Sequence, residues 1–157
     1  TARPEELAPQ PGTAALPVLV ERFRAAGLPV QLTTVGPPIL DPNLQLTVYR
    51  IVQEGLTNAL RYAATAHRVD VTVEHADGIV RVDVIDDAVV ASTSELTSGG
   101  KGLVGMRERV ALYGGTLEAG PGPQRGWRVH AELRDEERGT PNSDADAMNP
   151  DETEDNA

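Results

Sequence analysis

Apolar residues recur at helical spacing in some stretches and alternate with polar ones in others, and that change of period predicts the elements. Leu16, Leu19, Val20, Phe23 and Ala26 form a short amphipathic helix that Gly27 stops; Pro17 is tolerable because it falls in the first turn. Residues 28–35 read as a strand closed by Gly36-Pro37-Pro38. Asp41 as cap and Pro42 at the first helical position open a longer helix, running to near Ala64, with the stripe Leu44, Val48, Ile51, Val52, Leu56, Ala59, Leu60 and Ala63. Val69, Val71 and Val73 alternate with polar residues, Asp77-Gly78 turns the chain, and Val80, Val82 and Val84 alternate back as a hairpin. Residues 88–100 are small and have no period. A third helix spans about 103–113 and stops at Gly114-Gly115. Residues 116–119 then pair with Trp127, Val129, Ala131 and Leu133 in a last hairpin. Hairpins with helices between them predict an α+β fold: a two-layer sandwich whose mostly antiparallel, mixed sheet carries helices on one face.

Composition narrows the picture. The 157 residues contain no cysteine, which excludes disulfides, a thiol nucleophile and cysteine zinc sites. Aromatics make up only 3%, so aliphatic side chains must build the core. The longest apolar run, residues 14–20, contains Pro17 and falls far short of the roughly 18 residues a membrane span needs. The net charge of −10 is unevenly spread: residues 135–157 hold nine acidic residues and one basic, so residues 1–134 are nearly neutral. No basic nucleic-acid footprint is present. Residues 1–12, with Pro4, Pro9 and Pro11, read as a linker, 13–134 as the folded domain, and 135–157 as a disordered acidic tail.

Three features carry chemistry. On the long helix Glu54 and Asn58 stand four apart, with Arg61 and Tyr62 one turn on, along an edge bordering the apolar stripe. A carboxylate and an amide oxygen at this spacing can hold Mg²⁺ directly or through its waters, and Arg61 can meet a phosphate; an exposed helix edge with a Glu–Arg contact is the plainer reading. Gly99-Gly100-Lys101-Gly102-Leu103-Val104-Gly105-Met106 leads into a helix, where glycines, a helix N-terminus and a lysine together suit a phosphate. Its G-x-G-x-x-G spacing does not mark a dinucleotide fold, because no strand immediately precedes it, and it lacks the Gly-Lys-Ser/Thr ending of a Walker loop. Asp86 and Asp87 end the first hairpin, where an aspartate can accept a hydrogen bond from an exocyclic amine or simply form a turn.

In that order, these features resemble the ATP-binding catalytic domain of sensor histidine kinases, a Bergerat-type fold shared with gyrase, the ninety-kilodalton chaperones and mismatch-repair ATPases. Residues 50–63, RIVQEGLTNALRYA, are similar to the family's N box. Residues 100–109, GKGLVGMRER, resemble its second glycine box as found in the subfamily that pairs with helix-turn-helix response regulators. The resemblance spans roughly residues 28–134. It implies ATP and Mg²⁺ as ligands, with Asn58 on the metal and Glu54 holding a metal-bound water or assisting proton transfer. It places Arg61 and Tyr62 at the phosphate and nucleotide edge and Asp86 on the adenine amine. Residues 88–100 would be a lid, and Gly100, Lys101, Gly102, Leu103, Gly105 and Met106 would wrap the phosphates.

The sequence departs from that pattern in two places. The first glycine box, normally D-x-G-x-G, reads Asp86-Asp87-Ala88-Val89-Val90, and the usual Gly-Thr before the last strand is Gly126-Trp127. Side chains at 88 and 90 would crowd the adenine pocket or stiffen the lid hinge. None of His67, His75 and His130 lies on an N-terminal helix suited to accept a phosphoryl group. The resemblance therefore implies a cytoplasmic piece of a homodimeric kinase, membrane-anchored or free, whose dimerisation domain supplies the acceptor histidine and whose product goes to a response regulator. A non-catalytic module of the same fold and an anti-sigma-type serine kinase are the alternatives.

Overall fold

The computed structural model describes residues 12–89 and 101–136. The linker up to residue 11, residues 90–100 of the expected lid with Val90 and Gly100, and residues 137–157 of the tail lie outside the described residues. A 3₁₀ turn, Thr13–Ala15, leads into α1, Leu16–Ala25. Next come β1 (Val30–Val35), α2 (Pro42–Tyr62), β2 (Val69–Ala76) and β3 (Ile79–Asp86). Then α3 (Lys101–Ala111), β4 (Thr116–Pro121) and β5 (Trp127–Arg134) complete the domain.

Local chemistry sets the ends of these elements. Asp41 accepts a hydrogen bond from the Asn43 N–H at 2.9 Å and caps α2, with Pro42 in its first turn. Gly27, at φ +100°, ends α1: its N–H bonds to Arg24 O and the Leu28 N–H bonds back to Phe23 O at 3.0 Å, a Schellman stop. That bond holds Leu28 in the helix terminus, so β1 begins at Val30. Asp77 and Gly78, both at positive φ, form the tight turn between β2 and β3.

The five strands lie in the order β1-β2-β3-β5-β4. β1 runs parallel to β2, with α2 as the crossover, and the other pairings are antiparallel. Period two decides the faces. Val69, Val71 and Val73, Val80, Val82 and Val84, and Val129, Ala131 and Leu133 are all buried and pack with Leu44, Val48, Ile51, Val52 and Leu56 of α2. The opposite face carries cross-strand charge pairs, among them Arg128 Nε to Asp83 Oδ1 at 2.8 Å and Arg81 Nε to Glu132 Oε1 at 2.9 Å. The sandwich is thus two-layered and α+β, as the pattern predicts.

Besides the later start of β1, α2 stops at Tyr62 and α3 at Ala111, short of the expected ends, and other boundaries differ more tellingly. α3 starts at Lys101 rather than near 103, because Gly102 is helical despite its roughly 1 kcal/mol propensity cost. β4 runs on through Gly120 to Pro121, a position open to proline because β4 is an edge strand. Asp135, assigned from composition to the tail, is 3% exposed and pairs with the equally buried His75 at 3.0 Å. His75 Nδ1 also lies 2.8 Å from Pro37 O, and the Asp135 N–H donates to Gly78 O at 2.8 Å. A run of acidic residues hides such a clamp because its partner lies sixty residues away.

Candidate functional site

Gly55 lets α2 lie directly on the sheet: a Cβ there would stand 2.9 Å from Val84 Cγ2 of β3. The short connection after α2 leads straight into Val69, which pairs with Asp86 across β2 and β3, so the C-terminal turns of α2 share the Asp86 end of the sheet. Hydrogen bonds fasten that corner. The Asp87 carboxylate accepts from the N–H groups of His67 at 2.8 Å and Arg68 at 3.0 Å, and Thr65 Oγ1 accepts from the Val89 N–H at 3.1 Å.

Glu54 and Asn58 are both half-buried, on one edge of α2 beside the apolar stripe. Arg61 is exposed, and its guanidinium lies 5.6 Å from the Tyr62 ring centre, a cation–π contact at the end of the helix. The glycine stretch meets this edge. α3 packs on α2, and a Cβ on Gly102 would fall 2.1 Å from Glu54 Oε1. One turn later Gly105 has nothing within 4 Å of where its Cβ would be. So one glycine admits the carboxylate and the next leaves open space. Leu103 is buried and Met106 half-buried against the core, anchoring α3 from beneath. Gly100 and the Lys101 side chain lie outside the described residues.

Asp86 is 7% exposed. Its Oδ1 accepts from the Ala88 N–H at 3.0 Å and the Trp127 N–H at 3.3 Å, and no described residue donates to Oδ2. Burial pushes this carboxyl above its ordinary value of 3.8; the two N–H bonds oppose the rise without cancelling it, and Asp87 adds to it. Asp87 moves the other way. Desolvation acts upward on it, but the bonds from Arg68 and His67, helped by Arg125, outweigh that and hold it low. Gly126 sits against Asp86 at φ +81°, where a Cβ would be 2.0 Å from Asp86 O. Ala88 is buried in the core, so its methyl group packs inward. A cleft of about 360 Å³, floored by Ile85 and flanked by Arg68, Asp70 and Arg125, lies on the back of Asp86, on the opposite face of the sheet.

The structure therefore brings Glu54 and Gly102 together and puts Asn58, Arg61, Tyr62 and Asp86 at one end of the sheet. Sequence reasoning missed Thr65 and Asp87 as fasteners of that corner; a turn-forming acid pair is the only signal the chain offers for them.

Residues 43–137 match the family described as histidine kinase-, DNA gyrase B- and HSP90-like ATPases. The chain belongs to this ATPase family. Over 94 residues, 59% of the chain, it is 39% identical to the sensor histidine kinase YxjM of Bacillus subtilis, and over the same length 35% identical to the oxygen sensor histidine kinase NreB of Staphylococcus carnosus. Those alignments cover 22% and 27% of the two relatives, so the chain spans about a quarter of their length. Among solved structures, the blue-light activated histidine kinase of Erythrobacter litoralis EL346 superposes with a TM-score of 0.63 at 20% identity, over 82% of this chain and 46% of that one. The Acinetobacter baumannii histidine kinase AdeS follows at 0.57 and 16%, over 78% and 61%. The relatives and the fold thus agree on a histidine-kinase-type ATPase domain. No described helix is long and apolar enough to cross a membrane.

Proposed function

We propose that the chain is the ATP·Mg²⁺-binding catalytic domain of a sensor histidine kinase. It donates the γ-phosphoryl group to a histidine on a separate dimerisation domain, for relay to a response regulator, and works on the cytoplasmic side of a homodimeric whole. The supporting observation is the close approach of Gly102 to Glu54, which joins the amide-and-carboxylate edge of α2 to the glycine-rich start of α3.

Asn58 and Glu54 suit Mg²⁺. Among the described residues no group of three histidine or acidic side chains is arranged to hold a metal ion by itself, and Mg²⁺ ordinarily takes one or two protein oxygens and fills its octahedron with phosphate oxygens and water. Bound there, the ion would neutralise charge on the triphosphate. The chain's own groups position the reactants. Asp86 Oδ2 accepts from the adenine amine, Arg61 and Tyr62 border the nucleotide, and backbone N–H groups at the start of α3 face the phosphates. In the transfer, the bond from phosphorus to ADP breaks as the bond to the acceptor imidazole forms, and Glu54 assists the accompanying proton transfer.

The test is calorimetry with ATP and Mg²⁺, then phosphotransfer to a histidine-bearing helical fragment and, in parallel, to a serine-bearing protein. Asn58→Ala should abolish Mg²⁺-dependent ATP binding with the fold intact; unchanged affinity refutes the metal role. The missing glycines of the first box favour one other reading, a non-catalytic module, and absence of ATP binding by the native chain would establish it.

A further inference from the structure

We propose that Trp127 is a specificity-determining residue that contacts the base and selects a purine nucleotide; this rests on the nucleotide reading above. Trp127 shares the parity of Val129, Ala131 and Leu133 on β5, so its indole lies on the helix-bearing face, half-buried against the edge of the core. Its backbone is pinned beside Asp86, because its N–H donates to Asp86 Oδ1 and Gly126 before it lies so close that a Cβ there would fall 2.0 Å from Asp86 O. The register Ile85↔Arg128 makes Asp86 and Trp127 cross-strand neighbours on that face. Asp86 Oδ1 is taken up by two backbone N–H groups, which leaves Oδ2 for a ligand. A base whose amine reaches Oδ2 lies next to the indole.

The two residues divide the discrimination. Asp86 accepts a hydrogen bond, so it favours adenine, with an amine at C6, over guanine, with a carbonyl there. Cytosine also carries an exocyclic amine, so Asp86 alone does not reject it. The indole supplies aromatic surface, and the larger purine covers more of it. Trp127 therefore separates ATP from CTP. A threonine at this position would offer a hydroxyl and little area.

Because Trp127 is the chain's one tryptophan, its emission reports on the site directly. ATP should quench or shift that emission along the same isotherm as the calorimetric heat. Trp127→Ala should weaken ATP about tenfold and CTP much less, collapsing the ratio between them. Trp127→Phe should keep most of the preference, whereas Asp86→Asn should weaken both nucleotides. Unchanged emission during calorimetrically observed ATP binding overturns the proposal, as does an equal loss of ATP and CTP in Trp127→Ala. Should that variant fail to fold, the native emission and Trp127→Phe still decide. Absence of ATP heat from the native chain would instead overturn the nucleotide reading, and this inference with it.

Discussion

Gly102 on α3 has no room for a side chain because the Glu54 carboxylate of α2 occupies it, with Oε1 2.1 Å from the place of the absent Cβ. The obstructing atoms are the end of a flexible side chain. Gly102→Ala should therefore be absorbed by rotation of Glu54, changing stability by about 1 kcal/mol or less. The displaced carboxylate no longer faces the start of α3, so Mg²⁺-dependent ATP affinity should fall about tenfold. A double-mutant cycle with Glu54→Ala checks this: the glycine substitution should cost little once the carboxylate is gone. Additive losses would mean that the two residues act independently.

Gly126 is a harder constraint. Its φ of +81° disfavours any side chain, and a Cβ would meet Asp86 O, a backbone atom that cannot swing aside. Gly126→Ala should cost about 2–4 kcal/mol, the sum of left-handed strain and overpacking. Urea unfolding monitored by circular dichroism measures it, and an effect under about 0.5 kcal/mol would show that the β4–β5 loop relaxes freely.

The elements were legible because periodicity alone separates them: Val69 to Val84 alternate for a half-buried hairpin, and Asp41-Pro42 announces α2. The site was legible as residue types in order, Glu54 and Asn58 before Asp86 before the glycines. Neither the contact of Gly102 with Glu54 nor the pairing of His75 with Asp135 could be read, since each joins positions roughly fifty or sixty residues apart. The inward member of the Asp86-Asp87 pair was legible, since the alternation of Val80, Val82 and Val84 continues to Asp86. Asp86 follows them onto the helix face, while Asp87 turns back to hold the chain after α2.

Asp86 predicts a pH dependence whose sign follows from its buried carboxyl. Its folded value lies above 3.8, so the native state holds the proton more tightly than the unfolded chain does. This contribution is fully present below that ordinary value and is lost as pH rises through the folded one. Asp86→Asn should remove that part of the profile, so the variant gains stability relative to the native chain as pH increases across the window. Nucleotide binding should run oppositely, since an ionised Oδ2 accepts the adenine amine more strongly than a protonated one, and affinity for ADP without metal should fall as pH drops through the same window. Parallel denaturation and titration series between pH 3.5 and 7 test both halves. A flat difference between the two proteins would refute the assignment.

The pairing of His75 with Asp135 makes the end of the domain a structural element. Both side chains are 3% exposed, and the imidazole bridges Asp135 Oδ2 and Pro37 O, tying the chain after β5 to the segment after β1. Gly36 completes the join, because a Cβ there would stand 1.9 Å from His75 O. Removing one member of a buried hydrogen-bonded pair leaves the other unsatisfied, which typically costs about 1–3 kcal/mol. Asp135→Ala and a chain ended at residue 134 should therefore both be destabilised by about that amount, while a chain ended at residue 136 should match the full sequence. ATP affinity, measured where all remain folded, should be unaffected, because His75 lies at the end of β2 away from Asp86. Equal stability of the chains ended at 134 and 136 would reduce the pair to a surface contact and return Asp135 to the tail.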